Sequence, residues 1–369
     1  MPRYAMPEDL KHTPLHPSHQ ALDAHMIPFA GWEMPARYAS AVQEHHAVRT
    51  GAGVFDVSHM GRLYLKGPDA RVLLDRVVTA NLQALDIAHA RYCMACQEDG
   101  GIIDDLIVYC LDTESYLVVC NAANRKAVIS ILREQAHQFS KVSIDDQTTQ
   151  TAMIALQGPR ALDKLKSIAD LDTSSLPLFT CDYLEVLGEK TLIARTGYTG
   201  EDGVELIVAA QGAIQLWQAL LDADATPCGL VARDSLRLEA ALRLWGNDMD
   251  TTVNPYEAGL GRFVVLDKAP YTGKEALLRA KREGVERRLI GFDMVERGIP
   301  RHGFTILSDG EAIGEVTSGG YSPTLSKGLG LGYVPASKAA RDTPLAIDIR
   351  GRQVAAKVVS LPFYRRPRP

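Results

Sequence analysis

The chain has 369 residues, 46% hydrophobic and 23% charged, with a formal net charge of −5, enough for two or three domains with substantial cores. That balance excludes a general nucleic-acid or membrane surface. The basic run Tyr364-Arg365-Arg366-Pro367-Arg368 is too short to alter this, and no apolar run reaches membrane-spanning length. Six cysteines in a chain of this length do not make a disulfide scaffold, so the expected compartment is reducing, a bacterial cytoplasm. The N-terminus, with Glu8, Asp9 and several prolines, lacks both a secretory apolar core and the Arg-rich character of a transit peptide.

In residues 1–56, Phe29-Ala30-Gly31-Trp32-Glu33-Met34-Pro35 reads as a stiff aromatic loop. A helix is expected from Ser40, whose hydroxyl suits an N-cap, to Arg49, with Gly51 ending it. From Gly61 the chain repeats itself. Leu65-Lys66-Gly67-Pro68-Asp69-Ala70 closes a strand and opens a helix, and Leu156-Gln157-Gly158-Pro159-Arg160-Ala161 does the same. The first helix is followed by expected strands near 91–96, 103–110 and 116–121 and a helix Arg125 to Gln135. The second is followed by strands near 182–187, 190–195 and 203–209 and a helix Gly212 to Asp222. The matched order implies two α+β units of similar plan, each an antiparallel sheet with helices on one face.

In the first unit, Glu98-Asp99-Gly100-Gly101 marks a turn before the apolar strand Ile102-Ile103-Asp104-Asp105-Leu106-Ile107-Val108-Tyr109. Asp is depleted in strands and costly to bury without partners. Alternation sends Asp104 and Asp105 to opposite faces, so at most one enters a given pocket. Cys93-x-x-Cys96 lies within a strand-like run without a second pair, and reads as core. Val231 to Gly246 reads as one helix, with Leu236, Ala240 and Leu244 as its apolar stripe and Glu239–Arg243 as a surface pair. Arg233 stands apart at its start, beside Pro227-Cys228-Gly229. After a helix from Lys274 to Arg282, the alternation beyond Arg288 reads as a separate all-β domain, a small barrel or sandwich. Gly328-Leu329-Gly330-Leu331-Gly332 has neither a following helix nor an acidic partner, so no dinucleotide site is expected.

No Walker loop, nucleophile elbow or zinc-protease motif is present. Of the ten histidines, His45 and His46 are adjacent on a helix and His59 is alone, so no metal ligation is expected. What remains is polar residues at strand ends in matching places. One unit offers Tyr92, Asp105 and Asn121-Ala122-Ala123-Asn124, the other Arg195 to Glu205 with Tyr198. If the two sheets face one another, these converge on a cleft. Carboxylates, tyrosines and an arginine suit a flat heteroaromatic ligand: Glu205 can accept from a ring amide and amino group, and Arg233 can meet a carboxylate or carbonyl. Taken alone, this leaves open that Glu205 is a solvated strand residue.

The stretches Gly100 to Tyr109, Arg195 to Glu205, and Ala232 to Ala240 continuing to Gly246-Asn247-Asp248-Met249-Asp250 resemble the aminomethyltransferase (T-protein) family of the glycine cleavage system. So do Phe29 to Pro35, Val54-Phe55-Asp56-Val57-Ser58-His59-Met60, Thr317-Ser318-Gly319 and Ser322-Pro323-Thr324-Leu325. The resemblance implies an α+β three-domain cloverleaf around a central folate channel. Residues 1–56 and 146–262 would form a discontinuous first domain, 57–145 an inserted second, 263–284 a linker and helix, and 285–369 the β domain. It implies transfer of the methylene of an aminomethyl group from the lipoyl arm of H-protein to tetrahydrofolate, releasing ammonia, with no metal, NAD or flavin. Asp105 would be the key carboxylate. Glu205, Arg233, Tyr198, Tyr92, Met60 and Asn121 would contact folate or substrate, and Asp104 would stay solvated at its hairpin. The chain departs from the family pattern at Val231, Asn247 and Arg262. Two alternatives on the same fold are a folate-dependent demethylase of a methylated amine or sulfonium and a non-enzymatic folate-binding assembly factor.

Overall fold

The computed structural model describes residues 10–169 and 176–367; Glu8, Asp9 and Arg368 lie outside the described residues. A short helix α1 (His16–Ala21) leads into an antiparallel hairpin of β1 (His25–Phe29) and β2 (Trp32–Arg37). The expected aromatic loop is thus a hairpin. Ala30 at φ 49° and Gly31 at φ 81° make a two-residue turn whose twist suits paired strands. Ser40 precedes α2 (Ala41–Thr50) as expected, but its hydroxyl makes no capping bond. Instead Glu44 turns back to accept from the Tyr38 and Ala39 amides at 2.8 and 3.2 Å. Strand β3 (Gly53–Asp56) follows.

The first repeat comprises β4 (Gly61–Lys66), α3 (Ala70–Val77), β5 (Ala90–Cys96), β6 (Ile102–Asp112), β7 (Ser115–Cys120), α4 (Arg125–Ala136) and β8 (Ser143–Asp146), its strands forming a sheet in the order β5-β6-β7-β4-β8. The second comprises β9 (Thr151–Gln157), α5 (Ala161–Ile168), β10 (Cys181–Val186), β11 (Glu189–Ala194), β12 (Gly203–Ala209) and α6 (Ala213–Asp222), followed by β13 (Thr226–Pro227) and α7 (Leu230–Glu239). Its sheet runs β10-β11-β12-β9-β3-β13. The order of elements expected of both units is the order observed. After α8 (Lys274–Glu283), strands β14 (Arg287–Met294), β15 (Thr305–Ser308), β16 (Glu311–Ser322), β17 (Lys327–Pro335), β18 (Pro344–Ile349) and β19 (Arg352–Val359) close a barrel in the order β14-β17-β16-β15-β18-β19.

Side-chain alternation explains how the sheets stack. In β6 and β7, Leu106, Val108, Cys110, Tyr116, Val118 and Cys120 pack with α3 and α4. In β9 and β12, Ala152, Ile154, Leu156, Val204, Leu206 and Val208 do the same with α5 and α6. The opposite faces meet in a third core that includes Phe55, Tyr109, Val119, Met153, Ala194, Ile207 and Leu236. A residue of odd number in β6 or β12 therefore faces the other sheet. All six cysteines are buried and free, as the reading of Cys93 and Cys96 as core requires.

Helix α7 ends at Glu239, not near Gly246, and Ala241 has φ 54°. The buried charges of the segment account for the early stop. Arg237 donates to Asp248 at 2.6 Å and to the Leu242 carbonyl at 3.3 Å, while Asp248 accepts the Leu244 amide at 2.9 Å. Those bonds hold residues 242–248 in a loop that the apolar spacing alone would have wound. Glu239 is likewise no surface partner of Arg243. It is wholly buried, accepting from Arg49 Nη2 and Thr324 Oγ1 at 2.8 Å and from Ser322 Oγ at 2.5 Å, which ties α2 and α7 to the barrel.

Candidate active site

The glycine turn after β5 is built for close approach. Gly100 has φ 91°, and a Cβ on Gly101 would strike the Thr251 carbonyl oxygen. The amide of Ile102 donates to the carbonyls of Asp250 and Val253 at 3.1 and 3.0 Å. The start of β6 is thereby fixed, and with it the two acids that follow.

Asp105 shares its face with Ile107 and Tyr109, toward the other sheet. Its Oδ2 accepts from Tyr92 Oη at 3.0 Å and its Oδ1 from Asn121 Nδ2 at 2.8 Å. Tyr92 lies edge-on to Phe263 with ring centroids 4.7 Å apart. Asp104 points to the opposite face, as alternation requires, but it is not solvated. It is fully buried, accepting from the Asn121 amide at 3.0 Å and from Asn121 Nδ2 and Asn124 Nδ2 at 2.7 Å each. The donors come from the loop after β7, which a reading of β6 alone does not bring near. Asn121 bridges the two carboxylates. Burial, and for Asp104 the charge of its neighbour, push the pair above the usual carboxylate range, while Tyr92, Asn121 and Asn124 oppose that rise. Asp104→Asn replaces an acceptor with a donor before three donor groups. It is expected to lower the unfolding midpoint by the equivalent of about 1–3 kcal/mol and to reduce turnover less than a change at Asp105, as urea melts and kcat will show.

The second sheet supplies Glu205, 6% exposed and therefore not a solvated strand residue. Its Oε2 accepts from Thr196 Oγ1 at 2.6 Å, and Thr196 Oγ1 is 3.1 Å from Tyr109 Oη, so a polar bridge joins the two sheets. Burial raises the Glu205 carboxyl, and Thr196 and Arg233 pull it back. The guanidinium of Arg233 lies over the Tyr198 ring at 4.8 Å, and its Nη1 is buried with no hydrogen-bond partner. Tyr198 donates to the Arg243 carbonyl, and burial raises its phenol, with Asp105 and Asp248 adding to the rise. Tyr92, Asp105 and Asn121 thus form one hydrogen-bonded group, while Arg233 stacks over Tyr198 and acts on the Thr196-bonded Glu205 through its charge alone. Met60 packs half-buried against the core between the sheets and makes no polar link to either group.

Asn124, expected among the strand-end polar residues but given no role, supports Asp104. Two participants were not expected. Tyr109 could have been found, since it lies four residues after Asp105 and so on the same face. His59 is 3% exposed, its Nδ1 has no partner, and burial holds its imidazole down to about 3; nothing in the sequence signals that environment.

Residues 15–268 match the family model described as the GCVT N-terminal domain. Residues 287–365 match the glycine cleavage T-protein C-terminal barrel domain. The chain belongs to the glycine cleavage T-protein family. It is 44% identical to an aminomethyltransferase of Halothermothrix orenii over 358 residues, 96% of this chain and 100% of the relative. It is 45% identical to an aminomethyltransferase of Geobacillus kaustophilus, with 97% and 99% covered. The crystal structure of glycine cleavage system aminomethyltransferase T from Bartonella henselae superposes with a TM-score of 0.92 at 34% identity, covering 97% of this chain and 99% of that one. The chain therefore shares the architecture of that structure over nearly its whole length, barrel included.

Proposed function

We propose that the face between the two sheets holds tetrahydrofolate, with Asp105 as the carboxylate at the reacting nitrogens. The chain is an enzyme, an aminomethyltransferase of glycine cleavage, and its relatives match over nearly its full length. Neither a demethylase nor an assembly factor is favoured by those matches. The observation that carries the folate assignment is Arg233 Nη1, a buried cationic donor without a partner, whose charge is felt by the Glu205 carboxyl. An orphaned donor of that kind is costly unless a ligand completes it. A flat heterocycle with a ring amide, an amino group and a carbonyl fits: Glu205 accepts from the first two and Arg233 donates to the third.

Tetrahydrofolate, when bound, accepts the one-carbon unit and leaves as 5,10-methylenetetrahydrofolate. The donor is the aminomethyl group on the lipoyl arm of H-protein. Its C–S and C–N bonds are replaced by two C–N bonds, and the two protons lost from nitrogen end on the thiol and on ammonia. Asp105 hydrogen-bonds an aryl nitrogen that is a poor nucleophile, raises its reactivity and stabilises the positive charge that develops. Tyr92 and Asn121 hold that carboxylate in one orientation. Met60 lines the apolar wall. The reading includes the discontinuous division into 1–56 with 146–262, 57–145, 263–284 and 285–369, which is supported by β3 joining the sheet of β9 to β12. It includes a reducing, cytoplasmic setting, supported by six free buried cysteines; among the described residues no helix is long and apolar enough to cross a membrane.

Tetrahydrofolate at about a hundredfold excess over its Kd is expected to stabilise the protein by about 2.7 kcal/mol, a shift of several degrees in Tm. Glu205→Ala is expected to abolish the shift, and NAD to cause none. A shift with NAD and none with tetrahydrofolate would overturn the assignment.

A further inference from the structure

We propose that His12, His16 and Glu33 form a site for a divalent first-row transition ion, Zn²⁺ above all, that clips the N-terminal segment to the β1–β2 hairpin. Their donor atoms all lie within 4.8 Å of one another. His12 Nε2 is 3.3 Å and His16 Nε2 2.6 Å from the same oxygen, Glu33 Oε2. The two imidazoles lie face to face, with centroids 3.8 Å apart and planes 10° from parallel, so the exposed His12 ring must turn for both in-plane lone pairs to meet one ion. Two imidazole nitrogens and one carboxylate oxygen are a recurrent three-ligand set for zinc, with the fourth position left to water. At metal–ligand distances of about 2.0–2.2 Å, tetrahedral donors stand about 3.3 Å apart. The His12–Glu33 separation already has that value, and His16 needs to retreat by less than about 1 Å from its present hydrogen bond.

The three ligands are held by the backbone rather than gathered by chance rotamers. The Lys11 amide donates to the Gly31 carbonyl at 3.1 Å and the Glu33 amide to the Lys11 carbonyl at 2.9 Å, laying this segment along the hairpin. The His16 amide donates to Thr13 O at 3.1 Å as α1 begins. The side chain of His16 is 10% exposed, that of Glu33 31% and that of His12 55%, so the site is anchored at His16 and opens at His12, where a water ligand can enter. None of the three belongs to the group around Asp105 or to that around Glu205. The ion would be structural: its effect is to fix a hairpin whose tip residue Phe29 packs edge-on to His59 at 5.4 Å. The expectation that no histidine ligates a metal is revised for these two. Their four-residue spacing straddles the start of α1, so they share no helical face, and only the hairpin brings Glu33 to them.

The test is Zn²⁺ titration of the full-length protein against a chromophoric chelator, with His12→Gln and Glu33→Gln alongside. His12 is exposed, so its replacement leaves folding out of the question. One ion per chain is expected at micromolar affinity or tighter. Loss of a ligand should weaken it by more than the about 10–100-fold typical of outer-shell partners. With Cu²⁺ in place of Zn²⁺, electron paramagnetic resonance should show two nitrogen ligands in the wild type and one in His12→Gln. Failure to saturate, an affinity less than about tenfold changed in both variants, or a Cu²⁺ spectrum indifferent to His12→Gln would each overturn the site.

Discussion

Asp105→Asn is expected to lower kcat for methylene transfer by about 10²–10⁴-fold, the scale on which a positioned acid–base group acts. The fold should be unaffected. Asparagine has the shape of aspartate and keeps an oxygen for Asn121, and the change removes one of two neighbouring buried carboxyls. Tetrahydrofolate should still raise Tm, because the groups proposed to read the heterocycle, Glu205 and Arg233, lie on β12 and α7 and not on the sheet of Asp105. Loss of kcat with retained binding is the pattern of an interaction made in the transition state. The pH dependence carries a second expectation. Burial raises the Asp104–Asp105 pair above the usual carboxylate range, so the acid limb of the wild-type profile should lie above the about pH 4 of an ordinary carboxylate. The limb attributable to Asp105 should be absent in Asp105→Asn. A variant with near-wild-type turnover contradicts the role outright.

Glu239→Ala should destabilise the protein measurably. Its carboxylate accepts from Arg49 Nε and Nη2 at 3.1 and 2.8 Å, from Ser322 Oγ, and from both the amide and hydroxyl of Thr324 at 3.1 and 2.8 Å. Truncation takes one of two carboxylates from the buried Arg49, which keeps Glu201 at 3.1 Å, leaves the Ser322 and Thr324 donors unpaired and opens the seam between α7 and the barrel, at a cost of about 1–3 kcal/mol. The same contacts set an expectation for pH. Burial alone would raise the Glu239 carboxyl, but His45, Ser322 and Arg49 hold it down to about 2 against a usual 4.5. A depressed carboxylate contributes stability above its unfolded pKa and loses it as pH falls through the folded one. The wild type should therefore lose about 3 kcal/mol from this group between pH 4.5 and 2, and Glu239→Ala should lack that part of the acid transition. Urea midpoints measured across that range decide the matter.

How far the sequence reaches depends on where each residue's partners lie. The faces of Asp104 and Asp105 were legible because alternation is a local rule, and Arg233 stood out because it opens a helix beside a loop. The burial of Asp104 was not, since Asn121 and Asn124 arrive on the loop after β7, seventeen and twenty residues on. The length of α7 was misread for a related reason. Leu236, Ala240 and Leu244 keep helical spacing, and only Asp248, folded back onto Arg237, ends the helix at Glu239. The hairpin at Phe29 to Pro35 was hidden by an alanine at positive φ, a conformation that glycine or asparagine usually signals. Alternation after Arg288 predicted β structure but could not separate a sandwich from a barrel, because closure depends on β14 pairing with β19. The repeat itself was readable, since each unit carries its own turn and helix starts.

We propose that this chain moves a methylene from a lipoyl-bound aminomethyl group to tetrahydrofolate at Asp105. The most direct test supplies aminomethyl-loaded H-protein and tetrahydrofolate to the wild type and to Asp105→Asn, with methylated amines as alternative donors. Methylenetetrahydrofolate and ammonia should form in equal amounts from loaded H-protein, only slowly with Asp105→Asn, and not from the methylated amines. Turnover of a methylated amine with no product from loaded H-protein, or equal rates for the two proteins, would contradict that assignment.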